Sequence, residues 1–476
     1  MLTVSFENRG KTGLCDFLYG EIKNQILNKT LKADEKLPSK RALSQNLGIS
    51  VITVQNAYSR LISEGYIYSE EKKGFFVMNL LPLKPREVTL KESSNTLHEK
   101  RKTEYFADFK SNAVSYEKFP FNQWSRVMRS VLSSRNEQLL MRSDCKGVFE
   151  LRKAISSYIR EFRGMNVLPE QIVIGSGTEN LYALLVELLG QNRLYAVENP
   201  GYKKIYSLLE LNGASCIPVS IDEHGINVSR LEKSNANVVH VSPNHHFPTG
   251  IVMPVKKRQE LLSWASAKEK CRKNVSRYII EDDFDSEFRF NGKPLETLFS
   301  MDVNDSVIYV NTFSKTLSPS FRIGFMVLPP KLMNEFEKKF SFYSCSVSIF
   351  EQYTLARFIY QGYYSSHIIR MRNWYRNLRN AFIGELYKSK IKECCSVFEE
   401  DAGLHFLLTC RETKKRNALE IKQELLENQN INISLLSEYF YGKVPEKFLS
   451  TFVVNYSGIK KERITEIVNR LENVFV

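Results

Sequence analysis

No stretch of this 476-residue chain offers the roughly 18 uninterrupted apolar residues that a membrane-spanning helix needs. The opening Met1-Leu2-Thr3-Val4-Ser5-Phe6-Glu7 lacks the basic and then apolar order of a secretory signal. Cysteine is sparse: there are eight, none forms a C-x-x-C pair, and only Cys394-Cys395 lie close together. Neither a zinc site nor a disulfide scaffold is indicated, so the cysteines read as small buried hydrophobes in a reducing compartment. Histidine is sparser still, at seven, with one adjacent pair, His245-His246, that has no acidic or thiol partner at ligand spacing; no metal is expected. The composition, 43% hydrophobic and 25% charged, excludes a disordered or collagen-like chain. The expectation is a cytoplasmic protein that does not enter a membrane.

What is in excess is positive charge. Lysine and arginine number 67 against 53 acidic residues, a net +14. That balance fits a polyanion partner, although a basic enzyme would show it too.

The first eighty residues carry helical periodicity. Leu14, Leu18, Ile22 and Ile26 mark one face of a helix running to about Thr30. Ser39 is placed to cap a short helix that ends near Leu47, with Gly48 at the turn. Ser50 is placed to cap a second, Val51 to Glu64, with Val54, Tyr58, Leu61 and Ile62 facing inward. Two short helices across a glycine form a helix-turn-helix pattern. Tyr66-Ile67-Tyr68 and Phe75-Phe76-Val77, around Glu70-Glu71-Lys72-Lys73-Gly74, predict a β-hairpin wing.

Leu37-Pro38-Ser39-Lys40-Arg41, Thr53-Val54, Ala57-Tyr58, Leu61, Glu64-Gly65 and Gly74-Phe75-Phe76-Val77 together resemble the GntR family of winged-helix DNA-binding domains. The likeness covers residues 12–78. It implies that the second helix enters a major groove, where Thr53, Gln55 and Asn56 would meet base edges. Ser39 and Arg41 would lie at the same interface, Arg41 on phosphate or base. Lys72, Lys73 and Gly74 would form the wing tip along the backbone or minor groove. Val51 stands where the family often has arginine, which replaces one usual DNA contact with a candidate thymine-methyl contact.

Residues 79–104 lose periodicity. Pro82, Pro85, Ser93-Ser94-Asn95 and Glu99-Lys100-Arg101-Lys102 read as a linker. From residue 105 to 476 short β-branched runs alternate with helical patterns: Ile172–Ile174, Leu194–Val197, Val238–Val241, Tyr278–Ile280 and Val307–Val310. This predicts a mostly parallel sheet covered on both faces, with its ligand at the C-terminal ends of the strands.

The residues at those ends are Gly175-Ser176-Gly177-Thr178-Glu179-Asn180, opening a helix near Leu181; Glu198-Asn199-Pro200-Gly201-Tyr202; Glu281-Asp282-Asp283; and Asn311-Thr312-Phe313-Ser314-Lys315, with Arg322 seven further on. A lysine behind hydroxyl residues, with a later arginine, suits a Schiff base beside a phosphate. The order resembles fold-type I pyridoxal-phosphate enzymes of the aminotransferase class. That likeness implies pyridoxal 5'-phosphate joined to Lys315, Asp282 on the pyridine N–H and Tyr202 stacked on the ring. Thr312, Ser314, Arg322 and the amides of Gly177, Thr178 and Glu179 would hold the phosphate.

A GntR-like reader joined to an aminotransferase-like domain resembles the MocR family of bacterial transcriptional regulators, and Glu281–Arg289 and His245–Gly250 carry that likeness; its γ-aminobutyrate-sensing branch is the nearest pattern. The resemblance implies a domain-swapped homodimer on double-stranded operator DNA, associated with the nucleoid when bound. It also implies a small-molecule effector: pyridoxal phosphate itself, an amine or an amino acid. Three departures stand out. Phe284 replaces the usual tyrosine near the cofactor's ring oxygen. Arg142 stands where a tyrosine reaches the partner's phosphate. Gly458 falls at the place of the arginine that clamps an α-carboxylate, leaving Lys204 as an alternative cation. The missing clamp disfavours an ordinary transaminase. The expectation is therefore a regulator rather than an enzyme; the alternative is an active aminotransferase with an accessory DNA-binding domain.

Overall fold

The computed structural model describes residues 4–6, 9–10, 12–80, 104–110, 114–134, 137–267, 276–290, 292, 295–398, 403–410 and 417–476. Most of the expected linker lies outside these residues. The chain divides into two compact units, Met1–Arg101 and Lys102–Val476.

In the first unit α1 (Leu14–Leu27) buries Leu18, Tyr19, Ile22 and Ile26, and stops short of Thr30. Ser39 caps α2 (Lys40–Leu47): its Oγ accepts the Ala42 amide at 3.2 Å. Gly48 ends that helix at φ 65°, a conformation glycine adopts without steric cost. Ser50 caps α3 (Val51–Ser63) by accepting the Thr53 amide at 3.1 Å. The inward face of α3 is Val54, Ala57, Tyr58 and Leu61. Ile62, expected inside, is exposed. It follows Leu61 by about 100° around the helix, which turns it off the buried stripe, and Ala57 fills that stripe one turn earlier. The wing pairs β2 (Ile67–Glu70) antiparallel with β3 (Gly74–Val77), Ile67 opposite Val77 and Glu70 opposite Gly74. A two-residue strand, β1 (Lys36–Leu37), adds to β3 and was not anticipated.

The second unit is built on an eight-stranded sheet. Its strands are β5 (Ile172–Gly175), β6 (Leu194–Asn199), β7 (Ser215–Asp222), β8 (Gly225–Ile226), β9 (Val238–Val241), β10 (Tyr278–Asp282), β11 (Val307–Thr312) and β12 (Gly324–Val327). Their order is β5-β12-β11-β10-β9-β6-β7-β8. Pairing is parallel from β11 through β7; β12 and the edge strand β8 run antiparallel. All five predicted runs are strands of this sheet.

Strands β5, β9 and β11 are buried along their whole length on both faces, which is why they read as continuous apolar runs. One face packs α6 (Thr178–Leu189) through Leu181, Tyr182, Leu185 and Val186 against Val173, Val197, Ile280 and Val310. Elsewhere Ile172, Ile174, Tyr309 and Phe325 pack on α4 (Phe121–Ser134) and α5 (Phe149–Arg163). Helix α6 begins at Thr178, three residues before the predicted start, because Gly177 takes φ 83° as its cap.

A C-terminal layer completes the unit. Four antiparallel strands, β13 (Cys395–Phe398), β14 (His405–Cys410), β17 (Thr451–Asn455) and β16 (Ser434–Leu435), carry the helices Tyr363–Lys388 and Ile464–Phe475. A short parallel pair, β4 (Ala107–Asp108) with β15 (Ile431–Asn432), fastens the start of the unit to this layer. Cys394, Cys395 and Cys410 are buried there; Cys15, Cys145, Cys216 and Cys345 are half-buried. Among the described residues no helix is long and apolar enough to cross a membrane, and no cluster of His, Cys, Asp and Glu forms a metal site.

The acidic run after β10 is divided among separate tasks. Glu281 accepts the amides of Leu298 and Phe299, both at 2.9 Å. Asp285 accepts His245 Nδ1 at 2.9 Å, and Tyr158 donates to Glu287 at 3.2 Å. Asp283 forms a buried ion pair with Arg163 of α5 and also accepts Tyr309 Oη at 2.6 Å and Asn244 Nδ2 at 2.7 Å. Burial pushes the Asp283 carboxyl up, but Arg163, Tyr309 and Asn244 outweigh it and hold it below the ordinary range. Arg163→Ala leaves that charge buried and underpaired. The expected cost is about 3–5 kcal/mol in a denaturant titration; a loss under about 1 kcal/mol, the scale of an exposed pair, would contradict the assignment.

Candidate functional site

A cavity of about 210 Å³ opens at the C-terminal ends of the parallel strands. Into it converge Thr178 from α6, Tyr202 from the turn after β6, Asp282 from β10, Thr312 from β11, and Ser314, Lys315 and Arg322 from the segment before β12. These residues span 145 positions of sequence, and the crossovers of the sheet bring them to one rim.

Lys315 sits half-buried in a turn, and desolvation lowers its amine to about 8, against the opposing charge of Asp285. At pH 7 about a tenth is the free amine, the form that attacks a carbonyl, far more than an ordinary lysine offers. Asp282 is the last residue of β10 and lies 3.4 Å from His240 Nε2. Of the acids in its run, only Asp282 lines the cavity. Tyr202 is 40% exposed and meets Phe247 edge-on, ring centroids 5.6 Å apart. Phe247 and Phe284 make this part of the wall apolar.

Cations and hydroxyls gather at the other end. Thr312 Oγ1 and Ser314 Oγ lie 2.9 Å apart. Arg322, at φ 52°, donates to the Ser176 carbonyl at 3.2 Å and pairs with the Glu179 carboxylate. Lys204 pairs with the same carboxylate. Gly177 is required for this approach: a Cβ there would stand 3.0 Å from the Arg322 guanidinium carbon. The amides of Thr178 and Glu179 are first-turn N–H groups, which a helix leaves without intrahelical acceptors and which favour an anion. The Gly177 amide, expected to join them, instead donates to the Gly175 carbonyl at 2.8 Å. The tight turn before the helix spends that donor, so Gly177 contributes clearance rather than a hydrogen bond.

The donor set matches the groups of a phosphate-bearing aromatic aldehyde. A carboxylate, that of Glu179, already stands on Arg322 and Lys204, so this end accepts anionic oxygens. The amine of Lys315 and the carboxylate of Asp282 supply a partner for an aldehyde and for a ring N–H. The residues fit pyridoxal phosphate.

Two sequence candidates lie elsewhere. Arg142 donates to Ser344 Oγ at 2.6 Å and to the Phe342 carbonyl, outside this cavity. Gly458 is exposed beyond the end of β17 and does not line the cavity. Lys204 does line it, already engaged by Glu179.

Sequence reasoning gave no role to His240, Ser242 or Tyr441, nor to Glu198 within its strand-end run, yet all four line the cavity. Burial pushes the Glu198 carboxyl up to about 8 and His246 down to about 3, so both are held neutral behind the rim. His240 was detectable in principle: it pairs with Ile280 in register, and alternation sets it on the face of Asp282. Tyr441 had no local signal. It is carried in by a C-terminal loop and held by two 3.0 Å hydrogen bonds between its backbone and the Asn199 side chain.

In the first unit Gln55 and Asn56 are exposed on α3, and Arg41 is exposed on α2. Thr53 is half-buried, its hydroxyl 2.8 Å from Ser50 Oγ, and the Ser39 hydroxyl serves its cap. Lys72, at φ 62°, and Lys73 form the turn before Gly74, with Lys73 paired to Glu70 at 2.9 Å. Val51 is 41% and Ile52 71% exposed at the start of α3. Ile52 was overlooked because an apolar residue in a helical pattern reads as core.

Residues 106–471 match the aminotransferase class I and II family, and residues 14–77 match the bacterial regulatory proteins of the gntR family. Over 475 residues the chain is 31% identical to an uncharacterized HTH-type transcriptional regulator, YhdI, of Bacillus subtilis, covering 100% of this chain and 98% of that one. The chain belongs to the MocR-type regulators. It is 29% identical to the probable rhizopine catabolism regulatory protein MocR of Rhizobium meliloti, covering 96% of this chain and 93% of that one. Identity is 26% with the pyridoxine biosynthesis transcriptional regulator PdxR of Corynebacterium glutamicum, covering 93% and 92%. The second unit shares its fold with a kynurenine aminotransferase of Pyrococcus horikoshii: TM-score 0.67, 22% identity, 78% of this chain and 91% of that one. This chain thus carries the aminotransferase architecture after a winged helix in sequence.

Proposed function

We propose that this MocR-type chain is a DNA-binding transcriptional regulator that holds pyridoxal 5'-phosphate on Lys315 as its sensor group. The observation that carries the reading is the meeting of Lys315, Asp282 and Arg322 in one cavity, in a chain that begins with a winged helix. When bound, the cofactor supplies an electrophilic carbon and an electron-accepting ring. Lys315 forms the covalent link, Asp282 accepts the ring N–H and Tyr202 covers the ring face. Thr312, Ser314, Arg322 and the amides of Thr178 and Glu179 hold the phosphate.

The effector reading follows from what the cavity wall offers. With Gly458 outside the cavity and Lys204 engaged by Glu179, an α-carboxylate finds no free arginine fork among the lining residues. Pyridoxal phosphate, or an amine, is therefore the preferred effector over a common α-amino acid; γ-aminobutyrate would need Lys204 for its carboxylate. The retention of Lys315 and Asp282 favours a second reading, an active aminotransferase that carries an accessory domain.

The chain acts as a homodimer in this reading. Leu140, Met141, Phe342 and Tyr343 are exposed apolar side chains, and Arg142 ties the two segments into one surface through Phe342 and Ser344. A patch of this kind supports self-association, and a swapped reader domain would match two-fold operator symmetry.

The test is to titrate cofactor-free protein with pyridoxal phosphate while following its affinity for its own upstream DNA. A panel of amines and amino acids on the loaded protein follows. The expected result is a change in DNA affinity with pyridoxal phosphate alone and little spectral response to millimolar α-amino acids. Multiple turnover to keto acid would favour the enzyme. Micromolar binding of a standard α-amino acid would restore a carboxylate clamp, with Lys204 the first residue to replace.

A further inference from the structure

We propose that the Glu179 side chain is a built-in competitor for the cofactor's phosphate, so that it sets how readily this chain releases pyridoxal phosphate. The proposal rests on the cofactor reading above and deepens it. Glu179 is the second residue of α6, so its amide belongs to the anion-binding first turn while its own side chain is an anion. That carboxylate pairs with Arg322 and with Lys204, the two cations of the phosphate end apart from Lys315. Arg322 is further tied to the Ser176 carbonyl and packs closely over Gly177, which holds the guanidinium at the helix N-terminus.

A phosphate reaching Arg322 must therefore displace the carboxylate or sit beside it. Either course weakens binding, the first by breaking an ion pair and the second by like-charge repulsion. The exchange is open to solvent: the side chains of Arg322, Lys204 and Glu179 are 50%, 43% and 36% exposed. A displaced carboxylate thus swings into water while Lys204 keeps hold of it, and no unpaired charge is buried. The outcome is a phosphate site of tempered affinity, which suits a chain whose occupancy tracks the free cofactor concentration. A neutral glutamine at position 179 would keep the amide and the helix and remove the competing charge.

The experiment compares binding of pyridoxal phosphate and of pyridoxal, which lacks the phosphate, to full-length wild type and Glu179→Gln, by absorbance titration. Glu179→Gln is expected to bind pyridoxal phosphate about two- to fivefold more tightly, the scale of one partly exposed charge interaction. Its affinity for pyridoxal should be unchanged. Equal or weaker binding of pyridoxal phosphate overturns the proposal while leaving the cofactor reading intact, and so does an equal gain for both aldehydes, which places the effect away from the phosphate. If neither protein takes up pyridoxal phosphate, the cofactor reading falls and this proposal with it. Should the glutamine variant not fold, Glu179→Ser takes its place with the same expectations.

Discussion

Lys315→Ala is expected to lose the absorbance of the lysine-bound cofactor entirely, while the protein still folds and binds DNA. The amine sits in a turn between β11 and β12, and its side chain lines the cavity rather than belonging to the apolar clusters that support the sheet. Truncation therefore removes chemistry more than packing. Phosphate contacts and the Asp282 carboxylate remain, so the cofactor still has a non-covalent foothold. Retention should nevertheless fall roughly a hundredfold or more, equivalent to about 2.7 kcal/mol or more.

The same reasoning gives a pH signature in the wild type. Desolvation holds the Lys315 amine at about 8 rather than 10.5, so the neutral, attacking form grows as pH rises through 8. Cofactor uptake should accelerate between about pH 7 and 9 and level off above it. An unchanged spectrum in Lys315→Ala, or uptake that keeps climbing toward pH 10.5, would remove Lys315 from this role.

Much of this site was legible because a parallel sheet puts its ligand at strand ends, where one short run names one side chain. Asp282, Thr312, Ser314, Lys315 and Tyr202 each follow or end an apolar run, and the cavity gathers all five. The residues that escaped detection are those whose position depends on cross-strand register or on distant chain. His240 lies inside a strand, where it reads as a polar interruption of the core, and only its pairing with Ile280 sets it beside Asp282. Tyr441 arrives from a loop after the helical turn Leu436–Tyr439, 126 positions beyond Lys315, with nothing in its neighbours to announce it.

Glu179 shows a different limit. The glycine turn marked the helix N-terminus that the structure places at Thr178, yet the side chain that the pattern set beside it is itself an anion. Its pairing with Arg322 and Lys204 is a tertiary fact. In the reader the same contrast holds: caps at Ser39 and Ser50 were readable from local chemistry, whereas Ile52 and Ile62 were read as core or left unassigned because periodicity reports a face and not its partner.

DNA affinity should fall steeply with salt and lose its sequence preference when the exposed face of α3 is altered. The reader presents Arg41, Lys72 and Lys73, and the chain as a whole carries +14. Each phosphate neutralised on B-DNA releases counterions and contributes about −0.9 to the slope of log affinity against log salt. For a dimer making roughly six to ten such contacts, affinity drops about 10³- to 10⁵-fold between 50 and 200 mM salt.

Two kinds of variant separate positioning from readout. Arg41→Ala should weaken binding to every sequence alike and, if its contact is to phosphate, shallow the slope by about one per site. Asn56→Ala should leave the slope alone and cost about 1–3 kcal/mol of discrimination at one base pair, since an amide side chain reads an adenine edge by two hydrogen bonds. Neither residue belongs to the buried cluster of the reader, so melting temperatures should stay close to wild type. The measurement is fluorescence anisotropy on the chain's own upstream region, across a salt series, with point changes in the DNA. Binding that ignores salt would deny the electrostatic interface. Asn56→Ala that weakens all sequences equally would move that residue from base edge to backbone, and the search for a sequence reader would turn to Gln55 and to the exposed Ile52 at the mouth of the helix.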